Sequence, residues 1–229
     1  MCNVLLEDSW EADDIVRYCQ QHQMDCRVMS PADLLALDTT EFMKHVPFCS
    51  TDIVRHHLTA SGRRVPDTYE DVYAAHFHRA INTIPFGDVK PGSFVKPTTN
   101  DKSFDGQVFY DSDCFLGPLP SAQTLVYNCE AMKIISEYRL LIGERRLYGK
   151  GFVSGARMDD LLPSGMIGEL VALTASFRCV DIGFVKLAAG TLRWVVIEIN
   201  PPFSLDDHAI PLDDYMKFCI DAWLAVSSV

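Results

Sequence analysis

The chain alternates short apolar runs with polar, turn-forming stretches, and the spacing changes character about a third of the way along. Asn3-Val-Leu-Leu6 is a compact apolar run that reads as a strand, and Glu11 to Met24 follows with Ile15, Cys19 and His22 on one helical stripe. Cys26-Arg-Val-Met29 reads as a second strand, so the chain opens in the strand, helix, strand order of an α/β lobe. Residues 30–65 are mixed, with turn signals at Ser30-Pro31 and Ser61-Gly62. Asp67 with Glu70 three residues on has the form of a capping box and predicts a helix to about Ile81. Pro85, Gly87, Pro91 and Gly92 then interrupt any regular element, which places a lobe boundary near residue 86.

Beyond that boundary strands dominate. Phe94-Val-Lys-Pro97 is a strand stopped by proline, and the polar loop Thr98 to Gly106 separates it from strand-like Gln107 to Tyr110. Thr124 to Asn128 and Glu137 to Ile142 read as further strands. Leu147 to Ser154 returns after the turn Gly143-Glu-Arg-Arg146 as the partner of a hairpin. Ser164 starts a helix from about Gly165 to Phe177. Val180 to Leu187 and Leu192 to Ile199 are strands around Ala188-Ala-Gly-Thr191. Asp213 to Val226 closes as a helix with Met216, Ile220 and Trp223 inward. The pattern predicts an α+β protein: an α/β first third, then antiparallel sheets, with no internal repeat.

Composition narrows the function classes. At 229 residues the chain can bury a sizeable core, and 48% hydrophobic with 22% charged residues is ordinary for a globular protein. No apolar run approaches the ~20 residues that span a bilayer, and Met1 to Trp10 lacks a basic-then-apolar leader, so a cytoplasmic location is expected. A net charge of −11 repels nucleic-acid backbones and anionic lipid, so neither is an expected partner. The eight cysteines are scattered without a C-x-x-C pair and read as reduced, mostly buried side chains. His56-His57 and His76-x-His78 lack the i, i+4 spacing of helical metal ligands, which argues against zinc.

The most informative passage is Val180-Asp-Ile-Gly183 followed by Ile197-Glu-Ile-Asn200. A two-residue turn at Ala189-Gly190 would set Asp181 directly opposite Glu198, with Asn200 on the same face as Glu198. Two facing carboxylates in apolar strands repel by about 1 kcal/mol unless a cation sits between them. Three hard oxygen donors on one sheet face suit Mg²⁺, which shares its shell with phosphates and water. The bland alternative is a coincidental register with Asp181 in water.

The cations that could face such a site are spread over the chain. Lys96 stands between an apolar strand and a proline, Lys102 sits in the polar loop ending at Gly106, and Arg139 shares a strand face with Glu137. Each alone reads as a surface charge; together they could hold a triphosphate.

In this order, Phe-Val-Lys-Pro97, the Lys102 loop with Ser-Phe-x-Gly, Glu-Tyr-Arg139, Val-Asp-Ile-Gly183 and Val-Ile-Glu-Ile-Asn-Pro201 resemble the ATP-grasp superfamily. The clade of small members named for one arginine and two lysines looks most similar. The resemblance covers roughly residues 90–224 and extends weakly to Pro47-Phe-Cys-Ser-Thr51 and Val54. It implies the ATP-grasp fold, with two α+β subdomains gripping ATP between antiparallel sheets. Residues 1–85 would be the pre-ATP-grasp lobe, 86–130 the first subdomain and 131–229 the metal-binding subdomain.

The resemblance also implies ATP and Mg²⁺ as cofactors and assigns roles. Asp181, Glu198 and Asn200 would hold the metal, and Lys96 would contact the α- and β-phosphates. Lys102 would close over the γ-phosphate from a mobile loop, although that loop carries one glycine, Gly106, where many members have more. Cys129, Glu130, Ala131 and Met132 would meet adenine at the hinge, and Glu137 the ribose hydroxyls. Arg139 would reach the γ-phosphate or the substrate carboxylate, so Lys102 and Arg139 are the catalytic candidates. The implied activity is ligation of a carboxylate to an amine or thiol through an acyl phosphate, on an amino acid or peptide. The alternatives are a catalytically silent ATP-binding protein acting through a partner, and a kinase of the same fold. A homodimer is a family expectation. Arg145, Arg146 and His208 read as loop residues rather than substrate ligands.

Overall fold

A computed structural model describes residues 3–8, 12–63, 68–98, 103–187 and 190–228. Lys102, Asp67, Ala188 and Ala189, on which expectations above rest, lie outside these residues. The chain opens with β1 (Asn3–Glu7), α1 (Ala12–Gln21), β2 (Asp25–Met29), two short helices α2 (Pro31–Ala36) and α3 (Thr39–Phe42), β3 (His45–Phe48) and α4 (Thr51–Ala60). β1 lies between β2 and β3 in a parallel sheet. Val4, Leu5 and Leu6 are fully buried, as expected of a central parallel strand covered on both faces. On the helical stripe, Ile15 and Cys19 are buried, whereas His22 is exposed and stacks on Tyr18. Ser30 and Asp38 cap α2 and α3 by accepting backbone N–H bonds.

Over the described residues 68–81 the helix anticipated from Asp67 to Ile81 does not form. A single 3₁₀ turn, Asp71–Tyr73, leads into the one-turn α5 (Ala74–Phe77), and His78 at φ 51° ends it. Tertiary contacts outweigh the local helical signal. Glu70 accepts from Arg178 Nε at 2.5 Å, Tyr73 hydroxyl meets Thr174 Oγ1 at 2.8 Å, and the Thr68 carbonyl accepts from Ile199 N at 3.0 Å.

A four-stranded sheet follows, ordered β4 (Ile81–Pro85), β7 (Leu125–Glu130), β5 (Ser93–Pro97), β6 (Gln107–Phe109). A second comprises β11 (Leu192–Asn200), β10 (Arg178–Lys186), β8 (Lys133–Gly143) and β9 (Arg146–Gly155), all antiparallel neighbours. The helix α6 (Ser164–Leu173) covers one face of it, with Leu170 buried among Leu140, Val180 and Ile182. It stops four residues before the expected Phe177, where Thr174 turns its hydroxyl back to Leu170 O at 2.7 Å. The closing helix α7 (Leu212–Ser227) buries Met216, Phe218 and Trp223 in a core shared with the parallel sheet and with Leu141 and Cys179 of the antiparallel one. α+β is the fold class, with an α/β opening lobe. Among the described residues no helix is long and apolar enough to cross a membrane.

Candidate functional site

Asp181 does pair with Glu198, but not through a two-residue turn. The hairpin closes more widely, with Lys186 opposite Leu192, Leu187 N donating to Thr191 O at 3.0 Å and Gly190 N to Leu187 O at 2.8 Å. A β-bulge restores the register. Ile182 pairs with Val196 and Asp181 with Glu198, so Ile197 is the extra residue on β11. Gly183 leaves room for it, since a Cβ there would stand 2.6 Å from Ile197 Cδ1.

Arg139 is directly opposite Asp181 on the neighbouring strand and grips it with two bonds, Nε to Oδ1 and Nη2 to Oδ2, both 2.9 Å. Asn200 bridges the two carboxylates, its Nδ2 donating to Asp181 Oδ2 at 2.9 Å and to Glu198 Oε1 at 2.7 Å. Lys96 reaches across from the other sheet and pairs with Glu198 Oε2. Five of the proposed site residues thus form one network between the two sheets, a cation at each end and Asn200 between the two acids.

The environments split the two acids. Asp181 is 2% exposed, and burial pushes its carboxyl up from the ordinary range while the Arg139 guanidinium opposes that rise. Burial would also raise Glu198, but the Lys96 ammonium and the Asn200 amide outweigh it and hold Glu198 below its ordinary value. Glu137, which accepts from Ser154 Oγ at 3.2 Å, is raised by burial and then by the Asp181 charge.

A cavity of about 340 Å³ opens beside this network. Lys96, Arg139, Glu198 and Asn200 line it, facing Phe104 and Gly106 from the polar loop and Thr51 from the start of α4. The segment 203–206 forms a further wall. Asp181 is beneath Arg139 rather than on the wall. The loop after Pro202 is held close to the sheet because β9 is bare there: a Cβ on Gly151, opposite Arg139, would stand 2.3 Å from the His208 carbonyl oxygen. Ser204, His208 and Ala209 all take positive φ in this loop, and Arg139 Nη1 also donates to Asp206 O at 3.4 Å. His208 is lowered by burial and then by Arg139, so this loop histidine does sit within the field of the site. Arg145 is exposed at the β8–β9 turn, and Arg146 lies over the Tyr148 ring at 3.8 Å.

The hinge residues are not on that cavity. Cys129 is buried, Glu130 is exposed at the end of β7, and Ala131 and Met132 connect it to β8. Two side chains that the sequence pattern did not single out fill this end. Arg79 donates to Cys129 Sγ and Met132 Sδ, each at 3.3 Å, and Tyr69 packs edge-on to Tyr127 at 4.8 Å between ring centroids. Neither lies in a periodic element, so no local signal marks them.

The donor set suits a metal that arrives with its own ligands. Among the described residues no group of three or more His, Cys, Asp or Glu could hold a cation unaided. Two carboxylates and one amide are a sparse shell for a dedicated site, but ordinary for Mg²⁺ completed by phosphate oxygens and water.

Known structures share this fold. A structure of a RimK domain protein ATP-grasp from Sphaerobacter thermophilus superposes with a TM-score of 0.54 at 14% identity, covering 100% of this chain and 98% of that one. D-alanine–D-alanine ligase from Bacillus anthracis, solved in complex with ATP, gives 0.53 at 11% identity, covering 99% and 98%. N5-carboxyaminoimidazole synthetase from Staphylococcus aureus gives 0.54 at 10% identity, covering 99% and 77%. At these identities the likeness is one of fold. No curated protein matches the sequence. Residues 76–218 match the profile of the ATP-grasp domain in the clade named for one arginine and two lysines, family 2, and the chain therefore belongs to that family.

Proposed function

We propose that this protein is an ATP- and Mg²⁺-dependent ligase that joins a carboxylate to an amine or thiol, with an amino acid or short peptide as the acceptor class. The observation that carries the reading is the Asp181–Asn200–Glu198 network, buried at Asp181 and open to the cavity at Glu198 and Asn200, braced by Lys96 from one sheet and Arg139 from its own. A carboxylate oxygen of the substrate attacks the γ-phosphorus of ATP, the bond to the bridging oxygen breaks, and ADP leaves an acyl phosphate. The acceptor's lone pair then adds to the acyl carbon, the bond to the phosphate oxygen breaks, and the acceptor's proton leaves with the departing phosphate.

The chain's residues contribute position and charge. Asp181, Glu198 and Asn200 would hold Mg²⁺, which when bound would neutralise phosphate charge. Lys96 and Arg139 line the same cavity, where Lys96 would contact the phosphates and Arg139 the transferring group or the substrate carboxylate. Glu137, on the same strand face as Arg139, is the ribose ligand, Lys102 closes the phosphate end, and Cys129 to Met132 border the base. Residues 1–85 form the pre-grasp lobe, whose last strand β4 pairs with β7, and residues 86–130 and 131–229 form the two gripping subdomains. Specificity is set by the opening lobe and the loop after Asn200, since Thr51 and residues 203–206 line the same cavity as Lys96 and Arg139.

The test is nucleotide and Mg²⁺ binding by calorimetry, followed by ADP release with a panel of amino acids and peptides. Mg²⁺-dependent ATP binding lost in Glu198→Gln, and ADP release elicited by one acceptor, is the expected result. Binding without ADP release would replace ligation by a silent nucleotide-binding role, and a stable phosphorylated product needing no amine would make it a kinase. Absence of ATP binding would overturn the reading.

A further inference from the structure

β11 is the edge strand of its sheet, and an edge strand carrying Glu198 and Asn200 needs something to hold its free backbone groups. Residues 68–79 supply it. The Thr68 carbonyl accepts from Ile199 N at 3.0 Å, and Arg79 donates from Nη2 to Ile197 O at 2.7 Å and from Nη1 to Val196 O at 3.4 Å. Those two carbonyls flank the bulge. Without the extra residue, a continuous ladder would set Ile197 opposite Asp181 and turn Glu198 to the opposite face, where Val180 and Ile182 are buried. The carboxylate would then be aimed into an apolar core.

The same guanidinium also reaches Cys129 Sγ and Met132 Sδ at the strand connection between the two sheets. One side chain therefore spans the connection and the bulge. We propose that Arg79 is a positioning residue: it fixes the bulge that turns Glu198 toward Asp181 and Asn200, and it ties that register to the hinge between the sheets. The effect on metal binding rests on the nucleotide reading above, whereas the hold on the bulge does not.

Arg79→Ala and Arg79→Lys test this with two measurements. In the unliganded protein, hydrogen exchange of peptides covering 192–200 is expected to accelerate about ten-fold in Arg79→Ala, with peptides covering 146–155 unchanged. With the non-hydrolysable analogue AMP-PNP present, Mn²⁺ affinity read by electron paramagnetic resonance is expected to weaken about ten-fold or more in Arg79→Ala, and less in Arg79→Lys. Millimolar guanidinium should restore Mn²⁺ binding to Arg79→Ala but not to Glu198→Gln, a distinction that a general loss of folding would not produce. Should Arg79→Ala fail to fold, Arg79→Lys, which keeps the charge but not the forked donors, must still show both effects in reduced form.

Unchanged exchange in 192–200 would overturn the proposal, as would normal Mn²⁺ affinity in both variants. If the wild-type protein binds neither Mn²⁺ nor AMP-PNP, the nucleotide reading fails. The exchange measurement then decides the role of Arg79 in holding the bulge.

Discussion

Asp181→Asn is the most searching single substitution, because it separates stability from chemistry. The carboxylate is 2% exposed and its partner Arg139 12%, so removing the negative charge leaves a nearly buried guanidinium without its hydrogen-bonded counter-charge. Breaking such a pair from one side costs about 3–5 kcal/mol. Asparagine keeps one acceptor oxygen for Arg139 and removes the burial penalty that raises the Asp181 carboxyl, both of which point to the lower end, about 3 kcal/mol. For a chain of this size each kcal/mol moves the melting temperature by about 2–4 °C, so a fall of about 6–12 °C is expected by circular dichroism. The double variant Asp181→Asn/Arg139→Met removes the stranded charge as well and should regain more than half of that loss, because neither site then holds an unpaired ion. Both variants should lack acceptor-dependent ADP release. A single variant melting within about 2 °C of wild type would refute the stranded-charge reasoning, as would a double variant no more stable than the single. Retained turnover in either would refute the metal role of Asp181.

Two further outcomes follow from the same geometry. Gly151→Ala puts a methyl where the His208 carbonyl oxygen stands at 2.3 Å, so the loop must lift off β9. A cost of about 1–3 kcal/mol in thermal melts and a loss of ADP release with ATP binding retained are expected. Equal melting temperatures would mean that the loop does not rest there. Glu137 has its folded pKa raised by burial, so the folded state holds the proton more tightly than the unfolded chain. Its contribution is therefore present below the unfolded value and is lost as pH rises through the folded one. Glu137→Gln should match wild type in melting near pH 4 and exceed it near pH 7, while weakening ATP binding. A gap that does not widen with pH would contradict the burial.

Much of the candidate site is legible in residue order. Lys96 before a proline, Arg139 two after Glu137, Asp181 in an apolar strand and Glu198-x-Asn200 closing another are recognisable because strands alternate faces, so spacing alone sorts side chains to one side. The antiparallel pattern of the last two-thirds was equally open to reading, since turn residues and apolar runs are local signals. The helix expected from Asp67 to Ile81 shows where such signals stop. Arg178 draws Glu70 away and β11 draws Thr68 to its edge, and both partners are more than a hundred residues distant in sequence.

The amino-acid sequence by itself determined which residues carry charge, which strands are apolar and which side chains share a face. Only the tertiary structure decided the register at the centre of the site. The correct pairing of Asp181 with Glu198 arises from a bulge at Ile197, made possible by Gly183, with Arg79 donating to the carbonyls on either side of it. A bulge changes register by one residue without leaving a distinctive local composition. Likewise, the pairing of Lys96 with Glu198 depends on how two sheets face each other, and that is settled by the packing of the whole chain.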